Sequence, residues 1–254
     1  MRKPSEKKKT AESPDAVDLP PFETEDLRKN LDAFLNASFV DEITGQSSKV
    51  GNYKWGVYAF FDYDKEPIYV GQTNEMLRTR IRRHLTNQRT DAVAMSVLDP
   101  SEVYEIQVWP LPQFQKIGGK SPGFKEAKAH LDALERFVYE KALAESKFKS
   151  VLNEKNPPQA SVALKEPKSH RACVVSKNVH DIRSHPDSRI ARRALVIGRL
   201  AQVIAERKVQ GGLRRTLLTQ AKRLEWLAMR RYEALGGEGS VGAESEVDGI
   251  DAED

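Results

Sequence analysis

The chain has 254 residues, 39% of them hydrophobic, with a mean hydropathy of −0.60 and a formal net charge of +4 at pH 7. That length accommodates one or two domains. No uninterrupted apolar run approaches the roughly 18 residues of a membrane-spanning helix, and the basic start MRKPSEKKK runs into polar residues rather than an apolar signal core, so the expectation is a cytoplasmic protein without a membrane partner. Cys173 is the only cysteine, which excludes an internal disulfide framework. The charge is unevenly spread: residues 237–254 hold seven acids and no Lys or Arg, so the preceding 236 residues carry +11. A positive body with an anionic tail points to a polyanionic partner, most simply nucleic acid.

Residues 1–22 mix Lys, Glu, Ser and Pro without periodicity and read as a disordered basic lead. Over 24–36, Leu27, Leu31, Phe34 and Leu35 recur at helical spacing and predict an amphipathic helix. A loop containing Gly45 leads to a hairpin: a first strand over 56–62, the polar run Tyr63-Asp64-Lys65-Glu66, and a second strand over 67–71. Pairing Asp62 with Pro67 places Tyr58 opposite Gly71 and Phe60 opposite Tyr69, with both tyrosines on one face as diagonal neighbours. A helix is expected over 74–85, with Thr73 or Asn74 as its N-cap and Leu77, Ile81 and Leu85 packed on the sheet. Arg80 and His84, four residues apart, share a face of that helix, with Arg78, Arg82 and Arg83 around them. Two phenols, a guanidinium and an imidazole can therefore converge.

A short helix is expected over 91–98. Over 102–111 the chain alternates, with Tyr104, Ile106 and Val108 on one side and Glu105, Gln107 and Trp109 on the other, which predicts a third strand. Residues 124–148 form the longest helical pattern of the first half, with Glu135 at the margin of its apolar stripe. Residues 157–187 read as a linker with little periodicity apart from 172–175. His170, Cys173, His180 and His185 fall in or near it, and their spacing matches no zinc template, so scattered solvent-facing or packing roles are expected. Two further helices, 188–208 and 213–235, are divided by Gly211-Gly212. Between Ser188 and Arg231 there are twelve Lys or Arg residues against Glu206 and Glu225. This imbalance favours phosphate contact by Arg192, Arg193, Arg214 and Arg215 over a merely solvated surface. No internal repeat and no Gly-rich nucleotide loop is present, and no small-molecule cofactor is expected.

The tripeptides Gly56-Val57-Tyr58 and Tyr69-Val70-Gly71, separated by ten residues and followed by Arg80-Ile81-Arg82-Arg83-His84, resemble the GIY-YIG nuclease superfamily over roughly residues 50–156. The resemblance implies an α+β fold, a small three-stranded antiparallel sheet flanked by helices, here followed by an α-helical C-terminal region. Together with the composition, charge and periodicity above, it gives a chain divided into a lead (1–22), a nuclease domain (23–156), a linker (157–187), a basic helical region (188–236) and an acidic disordered tail (237–254), the resemblance itself bearing only on 50–156. It also implies an essential Glu in a local Ala-Leu-Glu pattern, matched by Ala133-Leu134-Glu135, and an Asn after that helix, matched by Asn153 or Asn156. The implied chemistry is single-metal hydrolysis of DNA, with Tyr58, Tyr69, Arg80, His84 and Asn153 around one divalent ion, Mg2+ first and Mn2+ second, bound by Glu135, and Tyr58 is the expected residue to activate or orient the water. Arg78, Arg82 and Arg83 would join the C-terminal arginines on nucleic acid. Phosphodiester cleavage needs an activated water and stabilisation of charge on the phosphoryl oxygens, which a bidentate Arg and a metal-binding carboxylate supply. The competing expectation is a nucleic-acid-binding protein that keeps the scaffold without turnover.

Overall fold

A computed structural model describes residues 22–42, 44–86, 97–160, 162, 164–209 and 211–237. The basic lead, most of the 91–98 helix and the acidic tail from 238 onward lie outside the described residues. Helix α1 (Phe22–Asn36) buries Leu27, Leu31, Phe34 and Leu35, the four residues of the predicted stripe. Where a loop was expected, β1 (Ser38–Val40) and β2 (Ser47–Lys49) pair antiparallel in a two-stranded sheet, and Gly45 takes a positive φ of 70° in their connection.

The central sheet has four strands in the order β4-β3-β5-β6, all neighbours antiparallel. These are β3 (Gly56–Phe61), β4 (Pro67–Thr73), β5 (Glu105–Pro110) and β6 (His170–Cys173). The fourth strand corrects the expected three. It comes from the segment read as a linker, where the short run His-Arg-Ala-Cys has no apolar alternation and pairs only because the edge of β5 is available to it. Every residue of β3 is buried, since both faces of the sheet are covered. One face carries Tyr58, Phe60, Ile106 and Val108 against α1 and α2 (Leu77–Leu85). The other carries Val57, Ala59, Val70 and Trp109 against the long helix α3 (Phe124–Glu145).

The hairpin register agrees with expectation where it matters: Tyr58 faces Gly71 and Phe60 faces Tyr69. At the turn it differs, because a bulge after Phe60 pairs Phe61, not Asp62, with Pro67. Asp62 instead organises the turn, its Oδ1 accepting from the backbone N–H of Asp64 (2.8 Å) and Glu66 (3.1 Å). Helix α2 begins later than expected, with Met76 at its N-cap and no side-chain cap. Thr73 Oγ1 accepts from the Glu75 N–H (3.1 Å) in the turn before it.

Beyond β6 come α4 (Lys177–Arg183), α5 (Pro186–Glu206) and α6 (Gly211–Ala234). The last two form the expected helical pair, but their arginines are not all displayed. Arg189, Arg193 and Arg223 are buried, each at 3% exposure or less, together with Asp62 and Glu102 of the sheet domain. Asp62 Oδ2 accepts from Arg223 Nη2 (2.7 Å) and Arg193 Nη2 (3.0 Å), Glu102 Oε2 accepts from Arg193 Nη2 (2.8 Å) and Nε (2.9 Å), and Asp64 Oδ2 accepts from Arg189 Nη2 (2.6 Å). Burial pushes the Asp62 carboxyl up, but the guanidiniums of Arg223, Arg189 and Arg193 outweigh it and hold the group below the ordinary carboxylate range. The helical pair is therefore fastened to the hairpin turn by three cations against three acids. Among the described residues, no helix is long and apolar enough to cross a membrane.

Candidate active site

Alternation along β3 and β4 brings two phenols to one face, with ring centroids 6.3 Å apart, and α2 lays Arg80 and His84 over them. Tyr58 is fully buried; its Oη lies 2.8 Å from His84 Nε2 and accepts from Arg80 Nε at 3.3 Å. Burial, with the neighbouring Tyr69 phenol, pushes the Tyr58 hydroxyl well above its ordinary pKa, against the pull of Arg80. Tyr69 is half-buried and packs against both Phe60 and His84.

Gly71 has a steric reason. A Cβ there would lie 2.5 Å from Tyr58 Oη and 2.6 Å from Cζ, so any larger residue drives the phenol out of place. Gly71→Ala should therefore displace the Tyr58 ring and destabilise the fold by about 1–3 kcal/mol, as overpacking a buried site does. Urea unfolding checks this; an unchanged stability would show that the ring relocates without consequence.

Glu135 reaches the same end of the sheet from α3. Its Oε2 accepts from Gln72 Nε2 at 2.8 Å, and the same nitrogen donates to Asp132 Oδ1 at 2.8 Å. Lys128 closes the group, pairing with Asp132 and donating to Gln72 Oε1 at 3.2 Å. Burial pushes the Glu135 carboxyl up to about 7, opposed by the Gln72 hydrogen bond and the Lys128 charge. Glu135 and Tyr58 also feel each other's charge, as do Glu135 and Arg80, so the carboxylate stands within electrostatic reach of the phenol and guanidinium. Gln72, Asp132 and Lys128 escaped the sequence reading. Their signals were weak but present, since Gln72 follows the second tripeptide and Asp132 stands three residues before Glu135 on one helix face.

Residues 54–113 match the family model described as the GIY-YIG catalytic domain. This segment is similar to the GIY-YIG catalytic domain. The match covers both tripeptides and the Arg-rich helix, and Glu135 lies beyond it. Neither the curated proteins nor the solved structures provide a match. GIY-YIG domains are nuclease domains, so the match over 54–113 points to nuclease activity in general.

Other expected site residues of the GIY-YIG domain have different placements. Asn153 is buried, and its amide pairs with both polar groups of Val70: Oδ1 accepts from the backbone N–H (3.1 Å) and Nδ2 donates to the carbonyl (2.7 Å). It thus behaves as a one-residue strand along the outer edge of β4, holding the strand that carries Tyr69 and Gly71. Asn156 accepts from Tyr139 Oη at 2.9 Å. On α2, Arg83 grips Glu75 bidentately (2.8 and 3.0 Å), Arg82 pairs with Asp32 (2.5 Å) and Arg78 donates to Leu35 O (3.2 Å) and Asn36 Oδ1 (2.8 Å), so each is half-buried and already engaged. Arg192 stands 3.6 Å from Glu23, while Arg214 and Arg215 are exposed, the latter donating to the carbonyls of Asn153 (3.3 Å) and Glu154 (3.4 Å). Arg193 corrects the expectation of phosphate contact: at 2% exposure, with Asp62 and Glu102 as partners, it cannot reach nucleic acid. The imidazoles also pack rather than cluster, His170 against Phe34 (5.1 Å between ring centroids) and His180 against Tyr63 (5.6 Å) and Tyr104 (5.1 Å).

Among the described residues, no three His, Cys, Asp or Glu side chains form a metal cage. Glu135 nevertheless suits a hard divalent ion in its donor chemistry. It is a half-buried carboxylate whose anionic form is poorly solvated, with a second carboxylate, Asp132, on the same Gln72 amide. An ion such as Mg2+ that keeps most of its own waters needs only one such ligand.

Proposed function

We propose that the chain is a metal-dependent endonuclease that hydrolyses DNA phosphodiester bonds, in a restriction-like, repair or defence setting. The observation that carries this reading is the convergence at one end of the sheet of Arg80 and His84, both hydrogen-bonded to Tyr58 Oη, and of Glu135, which stands in electrostatic reach of Tyr58 and Arg80. Binding alone has no use for a poorly solvated carboxylate in electrostatic reach of the Arg80 guanidinium.

Glu135 would hold the ion, with Asp132 beside it and Gln72 fixing the orientation of both. When bound, a divalent ion stabilises charge on the phosphoryl oxygens and the departing oxygen. Arg80 commits its Nε to Tyr58, which turns the Nη edge into a planar fork suited to a phosphate. Tyr58 has no exposed surface, so its part is positional: it stays a phenol and holds Arg80 and His84 together. The half-buried Tyr69 is the phenol that solvent and substrate can touch, and it is the better candidate to orient the attacking water. Asn153 supports them at one remove, through the backbone of Val70.

Arg80→Ala should reduce kcat by about 10²–10³-fold, the loss typical of one transition-state donor. Single-turnover cleavage of supercoiled DNA measures it. Retention of the wild-type rate would assign the phosphate to another α2 arginine.

A further inference from the structure

The turn after α3 and the outward face of α6 enclose a groove of about 600 Å3, separate from the catalytic group and lined in part by Lys147, Phe148, Lys222, Trp226 and Arg230. The groove is preformed. Ser146 Oγ receives the Phe148 N–H (3.1 Å) and donates to the Ser150 carbonyl (3.1 Å), Lys149 turns the chain at a φ of 51°, and Ser150 Oγ is tied to Thr219 Oγ1 of α6 at 2.6 Å. Trp226 is half-buried, with the Lys147 ammonium 4.0 Å and the Arg230 guanidinium 4.8 Å from its ring centroid and Phe148 edge-on at 6.0 Å. Lys147, Lys222 and Arg230 are all exposed.

We propose that this groove is a stacking platform for an unpaired base of a single-stranded nucleic-acid segment, with Trp226 under the base and Lys147, Lys222 and Arg230 on the flanking phosphates. Aromatic rings interleaved with cations are the means by which proteins hold single strands without reading sequence. The charge decides between single strand and duplex. Glu225 and Glu233 also line the groove, leaving its five charged residues with a net charge of +1, too little to follow a duplex backbone. The long stems of Lys147 and Arg230 can leave the ring for phosphate as a base takes their place, so the aromatic face is covered in the free protein and opened by the ligand. The proposal rests on the nuclease reading for its choice of nucleic acid as the polyanion.

The tryptophans make the test direct. Trp55 and Trp109 are 1% and 2% exposed, so a base that stacks on the protein quenches Trp226 in preference to the others. Titrating the full chain in EDTA with an oligothymidylate should give saturable quenching, and a duplex of equal length or poly-glutamate should give much less. Trp226→Leu should weaken oligonucleotide binding, read by anisotropy of a labelled strand, about tenfold. Lys147→Gln should lower the salt slope for the single strand by about 0.7. Binding without quenching, unchanged affinity in Trp226→Leu, or equal quenching by duplex or poly-glutamate would overturn the platform. Cleavage is read separately: a protein that cuts DNA but shows no quenching loses the platform and keeps the nuclease. One that quenches but never cuts keeps the platform and loses the nuclease.

Discussion

Asp62→Ala is expected to destabilise the protein by about 3–5 kcal/mol, because it removes the shared acceptor of three buried guanidiniums and leaves only Asp64 and Glu102 against their three charges. For a chain of this size such a loss lowers the melting temperature by roughly 6–20 °C. Asp62 is at 1% exposure, and its Oδ2 takes Arg193, Arg223 and, more distantly at 3.4 Å, Arg189. Its Oδ1 simultaneously orders the β3–β4 turn, so one substitution loosens both the hairpin and the seat of α5 and α6. Thermal and urea unfolding measure the effect. A loss below about 1 kcal/mol would mean that water or Glu102 replaces Asp62 at little cost, and that the helical pair is held mainly by its apolar contacts.

Glu135→Ala is expected to abolish DNA cleavage while leaving DNA affinity nearly intact. The carboxylate is the proposed metal ligand, so its removal eliminates Lewis-acid stabilisation of the transition state. Affinity for nucleic acid comes mostly from Lys and Arg on phosphate, and none of those is changed. Because Glu135 is half-buried, with its carboxyl pushed up to about 7 by burial, replacing it with Ala should not cost fold stability, which distinguishes a lost ligand from a lost structure. Equal loss of binding and cleavage would instead make Glu135 a scaffold residue acting through Gln72 and Asp132.

The hairpin and the grouping of its side chains were legible because they are local. Tyr58 and Tyr69 follow from alternation and a ten-residue interval, and α2 shows its buried stripe of Leu77, Ile81 and Leu85 in its spacing. What stayed hidden depends on residues distant in sequence. Arg193 looks like a surface cation beside a leucine stripe, and its acid partners lie 131 and 91 positions away, where periodicity carries no information. The strand β6 has no alternation of its own and exists because β5 offers an edge. Gln72 lies one residue past the expected strand, and its role shows only where α3 packs Asp132 and Glu135 against it. Even the register slipped at the turn, where Asp62 leaves the ladder to bind backbone N–H groups and a bulge takes up the difference.

The most direct test of catalysis at the Tyr58, Arg80, His84 and Glu135 group is conversion of supercoiled plasmid by the purified full chain in Mg2+, with wild type and Glu135→Ala run side by side and EDTA added to half of each. Nicked or linear DNA from the wild type in Mg2+ alone, with none from the variant or in EDTA, is the predicted result. Cleavage by Glu135→Ala at the wild-type rate, or equal wild-type cleavage in EDTA, would contradict it.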